Sequence, residues 1–442
     1  MIAKYQGGLN MQIHVIRPGD TLWAISQAYN FPLSELIAAN EIPNPDQLVV
    51  GQSIIIPIWG SYHWVAPGET LYAISRRYNT TVQELVRINR INDPAQIPVG
   101  FRLYIPQKTR STVDVGAYID PQITGDASSQ VIDKVGEHLT LLTIFSYAVN
   151  RDGSLTPVND QQIINTAYQD RVAPLMVLTN FEDGTFSQEL ATTILTNEAL
   201  QGRVLDEAIR IMDQKGYLGL DFDFEYLGAE NRERYNRFVQ KARARLKEKG
   251  YFISSALAPK LGPEQKGVLY EGHDYPAHGR IMDFIFFMTY EWGWSGGPPM
   301  AVSPLNQVRR VLDYAISVVP RDKIMMGIPL YGYDWTLPYV PGGRWARSIS
   351  SQQAIELAAR YGVSINYDYE AQAPFFHYTD EQGNRHEVWF EDARSIQAKF
   401  NLVKELGIRG FFYWVLGRDF PQNWLLIQDN FVVRKRVASP AT

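Results

Sequence analysis

The first hundred residues carry one segment twice. His14-Val15-Ile16-Arg17-Pro18-Gly19-Asp20-Thr21-Leu22-Trp23-Ala24-Ile25-Ser26 recurs as His63-Trp64-Val65-Ala66-Pro67-Gly68-Glu69-Thr70-Leu71-Tyr72-Ala73-Ile74-Ser75, 49 residues further on. Asn40 and Asn89, Gly51 and Gly100, and Pro57 and Pro106 keep the same offset. An ungapped repeat over this span means two copies of one small module. Each copy reads strand, helix, helix, strand. Pro-Gly makes the turn, and Asp20 or Glu69 and Thr21 or Thr70 follow as helix N-cap candidates. Leu22, Ile25 and Tyr29 come at helical spacing. Asn40 ends the second helix, and 53–56 is a short strand closed by Pro57.

The whole chain has 442 residues, too many for one ordinary core, so further domains are expected. A net charge of −5 gives no nucleic-acid footprint. There is no cysteine, which excludes disulfides and thiolate metal sites. The seven His are scattered; His273, His278, His377 and His386 have no metal-ligand spacing, so neither a metal nor another cofactor is expected. No apolar run reaches the ~18–20 residues of a membrane span, and no membrane partner is expected. The 10 Trp and 25 Tyr suit a sugar binder, although large barrels also pack such rings in their cores.

After a short linker near 107–111, the pattern becomes an alternating array. Apolar strand candidates lie at 113–119, 139–146, 172–179, 217–224, 252–258, 282–290, 324–331 and 408–415. Helical patterns lie between them, such as 198–215 and 231–249, each stopped by a glycine (Gly216, Gly250). Eight strands alternating with helices predict an α/β fold, a (β/α)8 TIM barrel over 112–430. That region exceeds the ~250 residues typical of the fold. The excess sits at about 334–390, with helix and strand signals at 351–361 and 374–378, and reads as a small α+β insertion after strand seven.

The fourth strand candidate carries the chemistry. In Leu220-Asp221-Phe222-Asp223-Phe224-Glu225 the apolar residues face one way and the three carboxylates the other, because strand side chains alternate. Carboxylates that close resist simultaneous ionisation, so at least one holds a proton near neutral pH. A protonated acid beside an ionised one is the equipment for glycoside hydrolysis. An acidic strand end facing water or a cation is the plainer alternative; apolar residues on both flanks argue instead for burial. Catalytic groups of such barrels sit at C-terminal strand ends. Strands six, seven and eight end in Met288-Thr289-Tyr290-Glu291, Leu330-Tyr331-Gly332 and Tyr413-Trp414, which puts aromatics and an acid at the same rim.

These motifs resemble two known families. The repeat is similar to the LysM module, at 12–57 and 61–106, on its Pro-Gly-Asp-Thr-Leu start and mid-module Asn. The resemblance implies binding of N-acetylglucosamine, by Gly19, Asp20, Thr21 and Leu22 in one copy and Gly68, Glu69, Thr70 and Leu71 in the other. The grooves would be completed by 42–48 and 91–97. The barrel resembles glycoside hydrolase family 18, whose strand-four signature is Asp-Gly-x-Asp-x-Asp-x-Glu. Gly219, Asp221, Asp223 and Glu225 fit it, while Leu218 stands where the first Asp would be. The resemblance implies Glu225 as general acid, with the substrate's own 2-acetamido oxygen as nucleophile, an exception to the two-carboxylate rule. It implies Asp223 orienting the acetamido group, Asp221 sharing its proton, and Tyr290 donating to the acetamido oxygen. Trp414 would floor the pocket; Met288, Glu291, Tyr331 and Tyr118 match cleft positions less decisively.

Two LysM-like modules before such a barrel resemble the spore-cortex-lytic N-acetylglucosaminidases of endospore formers. That implies a monomer, located at the boundary of spore coat and cortex, whose partner is cortex peptidoglycan and whose modules anchor it there during germination. A chitinase would share every catalytic residue, and a non-catalytic glycan-binding coat protein would not need Glu225. A glycan receptor would normally carry a membrane span. Residues 1–10 lack the apolar core of a signal peptide, so a cleavable signal is not expected. Gln6-Gly7-Gly8 can be encoded with a ribosome-binding sequence before the Met11 codon, which predicts Met11 as the natural start; a short flexible tail is the alternative.

Overall fold

The computed structural model describes residues 12–57, 61–78, 80–89, 91–105 and 110–437. The start at Met11 and the linker at 107–109 therefore lie outside the described residues.

Each module is a two-stranded antiparallel sheet with two helices. Gln12–Val15 pairs with Ser53–Ile56, and Ser61–Trp64 with Arg102–Ile105. Thr21 and Thr70 are the N-caps, accepting from Ala24 N and Ala73 N at 3.1 Å each. Asp20 and Glu69 are not caps. Their carboxylates tie the Pro-Gly turn, accepting from Arg17 N at 2.8 Å and Ala66 N at 2.9 Å, with His14 Nε2 and His63 Nε2 alongside. Asn40 and Asn89 cross-link helix to strand. Asn40 donates to Leu36 O and Ile55 O and accepts from Ile55 N; Asn89 repeats this with Leu85 and Tyr104.

Eight parallel strands form a closed barrel, the first (Ser111–Ile119) pairing with the last (Gly410–Trp414). Between them come Leu141–Ala148, Ala173–Thr179, Gly219–Asp223, Phe252–Leu257, Phe284–Phe287 and Ile324–Pro329. The helix Glu198–Lys215 begins at Asn197, which accepts from Ala199 N and Leu200 N, and ends at Gly216 in the left-handed region. Such termini are why sequence periodicity located it so closely. Leu220 and Phe222 face the surrounding helices, where Phe222 meets the edge of Phe238; Tyr118, Phe286 and Phe412 fill the interior. The sixth strand is shorter than 282–290. Met282 caps the preceding helix, and tight turns from Thr289 N to Phe287 O and Tyr290 N to Met288 O end the ladder. The fourth ends at Asp223, leaving Glu225 beyond the ladder.

After strand seven, five antiparallel-paired strands and the helix Ser351–Arg360 form the insertion. The first module is docked on both the barrel and this insertion. Ile55 is fully buried in the barrel's outer core and Val49 joins the insertion's core. Gln422 reaches Asn40, Arg394 Nη2 donates to Gly51 O at 3.0 Å, and Ile365 N donates to Val50 O at 2.8 Å. Gly51 is required here: it has φ +87°, and a Cβ would lie 1.9 Å from Ile365 O. The second module meets the first through Trp64 against Tyr29 and Arg102 on Ala28 O. Among the described residues no helix is long and apolar enough to cross a membrane.

Candidate active site

Strand alternation puts Asp221 and Asp223 inside the barrel, both buried, with Glu225 half-buried above them. Asp221 accepts 2.6 Å hydrogen bonds from the Tyr118 hydroxyl on strand one and the Ser254 hydroxyl on strand five. Burial pushes its carboxyl up to about 6, and these two hydroxyls oppose the rise. Asp223 is held well above the usual carboxylate range by burial and then by the charges of Glu225 and Asp221. Its Oδ1 is buried with no hydrogen-bond partner among the described residues. Glu225 is pushed up to about 7 by burial and then by Glu291. It therefore retains a proton near neutrality.

The peptide of Glu225 is clamped. Asn180, just past strand three, accepts from Glu225 N and donates to Glu225 O, both at 2.9 Å. His273 Nε2 bonds the preceding carbonyl, Phe224 O, at 2.9 Å. A proton donor so held needs little reorganisation to act.

Tyr290 is buried beside the acids; after burial, the charges of Asp223, Glu225, Glu291 and Asp221 raise its phenol well above its usual value. Gly327 makes room for its ring, since a Cβ there would lie 2.8 Å from Tyr290 Cε1. Trp414 is half-buried, edge-on to Tyr118 at 5.5 Å and Phe145 at 5.1 Å. Glu291 adopts φ 67° and turns its carboxylate onto the hydroxyls of Tyr331 and Tyr333. Met288 is half-buried and packs on the barrel's interior cluster. The structure thus gathers Tyr118, Asp221, Asp223, Glu225, Tyr290, Glu291, Tyr331 and Trp414 at one barrel end. Leu218 packs on the same interior cluster.

Sequence reasoning missed Ser254, Asn180 and Tyr333, whose parts depend on strand register. It also missed Trp294 and Trp345, 44% and 67% exposed, which pack edge to face where the strand-six loop meets the insertion. On the modules, Trp23 and Tyr72 occupy equivalent positions and are 65% and 68% exposed. They flank Gly19–Leu22 and Gly68–Leu71 in sequence.

The model for glycosyl hydrolases family 18 matches residues 126–419. The chain belongs to glycosyl hydrolase family 18. The LysM domain model matches 14–57 and 63–106, so the family 18 barrel follows two LysM domains. The cortical fragment-lytic enzyme of Bacillus subtilis (strain 168) is 52% identical over 428 residues, covering 96% of this chain and 99% of that protein. The protein of the same name from Bacillus anthracis is 47% identical over 429 residues, covering 96% and 100%. The crystal structure of the Bacillus megaterium QM B1551 spore cortex-lytic enzyme SleL superposes with a TM-score of 0.90 at 46% identity, covering 97% of this chain and 100% of that one. This family 18 chain is accordingly a glycoside hydrolase with glycan-binding domains.

Proposed function

We propose that this chain hydrolyses N-acetylglucosaminyl bonds of spore-cortex peptidoglycan by substrate-assisted, retaining catalysis. The observation that carries the mechanism is the buried Oδ1 of Asp223, without a partner among the described residues and set among raised carboxyls. An acetamido N–H is the donor such an acceptor lacks. Bound there, the acetamido group turns its carbonyl oxygen to the anomeric carbon, and the Tyr290 hydroxyl donates to that oxygen. Glu225 gives its proton to the glycosidic oxygen as the C–O bond breaks, and an oxazolinium ring closes on the sugar. Asp223 and Asp221, sharing a proton, stabilise that cation. Glu225, now a carboxylate, takes a proton from water, which attacks from the face the leaving group vacated and restores the original anomeric configuration.

The substrate class follows from whole-length likeness to cortical fragment-lytic enzymes, together with two LysM domains whose paired weak sites gain avidity on an insoluble glycan. We place it in the spore, at the boundary of coat and cortex, acting in germination. A monomer suffices for this chemistry, because the residues assigned roles above all lie on one chain.

The test is digestion of purified cortex fragments with reduction and assignment of the new end sugar. N-acetylglucosamine at the reducing end supports the reading; muramic sugar there overturns it. Glycans de-N-acetylated at glucosamine should resist cleavage, because the nucleophile is gone.

A further inference from the structure

The loop after strand eight, four residues beyond Trp414, carries Arg418, which is half-buried. Its Nε is buried, and its guanidinium has no hydrogen bond or ion pair among the described residues. The loop is fixed on both sides. Leu416 N donates to Tyr118 O at 3.0 Å, and Gln352 N, at the start of the insertion's helix, approaches Asp419 O at 3.4 Å. Arg418 therefore stands where the catalytic end of the barrel meets the insertion wall. Its charge reaches Tyr333, where it opposes the rise of the phenol caused mainly by burial, and the Tyr333 hydroxyl bonds Glu291 at 3.0 Å. Glu291 in turn is the carboxylate whose charge, after burial, raises Glu225.

Burying part of a guanidinium without a partner costs free energy, and a native structure that retains such a group calls for a reason, of which completion by a ligand is one. The planar fork of arginine fits a carboxylate with two hydrogen bonds, or a carbonyl oxygen with one or two. Peptidoglycan offers such a group and chitin does not: alternate sugars carry a lactyl ether, as a free carboxylate, an amide or an internal lactam. A chitin chain has a hydroxyl in its place.

Building on the function proposed above, we infer that Arg418 binds the lactyl carboxyl or carbonyl oxygen of a muramic residue adjoining the cleaved N-acetylglucosamine, and so selects peptidoglycan over chitin. The experiment uses the full chain and its Arg418→Gln and Arg418→Lys variants on three substrates of matched length. These are fragments with free lactyl carboxylate, fragments with muramic lactam, and chitooligosaccharides. Arg418→Gln should raise KM on the lactyl-bearing substrates about tenfold or more, the worth of a hydrogen bond to a charged group, with little change in kcat. Chitooligosaccharide kinetics should stay unchanged, and Arg418→Lys should recover part of the loss. Tm should not fall, because the guanidinium has no hydrogen-bond or ion-pair partner among the described residues to lose. Loss confined to the free-lactyl substrate identifies the carboxylate as ligand; loss on the lactam as well identifies the carbonyl oxygen. Equal losses on all three substrates, or none on any, would overturn the inference while leaving the proposed function standing. A wild type that prefers chitooligosaccharide would instead overturn that function.

Discussion

The Tyr118 hydroxyl donates to Asp221 Oδ2 at 2.6 Å, joining barrel strand one to strand four across 103 residues of sequence. Ser254 does the same from strand five through Oδ1. Asp221 thus has two fixed donors in a position where Leu218 supplies no carboxylate support. Both hydroxyls favour the ionised form, against burial that pushes the group up to about 6.

Tyr118→Phe should let that carboxyl rise further. The shared proton with Asp223 then becomes a second proton at mildly acidic pH, and the cationic intermediate loses its counter-charge. The acid limb of the kcat/KM profile should move up by about one pH unit, with roughly a tenfold loss at pH 6. Ser254→Ala should act in the same direction, and the double variant should exceed either single one. An unmoved acid limb in both would show that Asp221 does not govern it.

Glu225→Gln should fold normally and lose at least about a hundredfold in kcat, because the amide has no proton to give. Stability supplies an independent check. The folded-state carboxyl is raised from 4.5 to about 7, so the folded protein resists its ionisation. The wild type therefore loses stability as pH rises from about 4.5 to about 7, and the glutamine variant is spared. The difference in Tm between variant and wild type should grow across that window and level off above it. A constant difference would reject the raised value.

Glu291→Gln tests the neighbour. The charge of Glu291 is the second cause, after burial, that raises Glu225. Glutamine keeps an oxygen for the Tyr331 and Tyr333 hydroxyls but removes the charge. Glu225 should then lose its proton at lower pH, drawing the alkaline limb of kcat downward by up to about one unit. A limb that stays in place would mean that Glu291 only positions the two tyrosines.

Much of this was readable from residue order. The eight strands announced themselves as apolar runs, and the face carrying Asp221, Asp223 and Glu225 followed from a period of two. What lay hidden needed register between distant strands. Nothing in the sequence says that Ser254 stands opposite Asp221, or that Asn180 would bracket the Glu225 peptide. The docking of the first LysM domain did leave a trace. Ile54, Ile55 and Ile56 are consecutive and all buried, whereas the second module has Leu103, Tyr104 and Ile105, with Tyr104 half-buried. A small two-stranded sheet needs one apolar face, and Ile55 marks a second face in contact with something else.

That difference makes the two modules unequal, although they are copies of one repeat. Asn40→Ala and Asn89→Ala each remove three hydrogen bonds to the backbone, leaving peptide groups unsatisfied at about 1–3 kcal/mol each where buried. In module one the damaged strand is the one that carries Ile55 into the barrel's core, and Gln422 also loses a partner. Asn40→Ala should therefore lower the Tm of the barrel itself and reduce hydrolysis of short soluble fragments on warming. Asn89→Ala should loosen only module two, read by hydrogen exchange at 61–105, with the barrel's Tm unchanged and pelleting with insoluble cortex weakened. Deleting module one should likewise destabilise the barrel, while deleting module two spares it. If Asn40→Ala leaves the barrel's melting untouched, the docked module is a passenger on the barrel and contributes nothing to its stability.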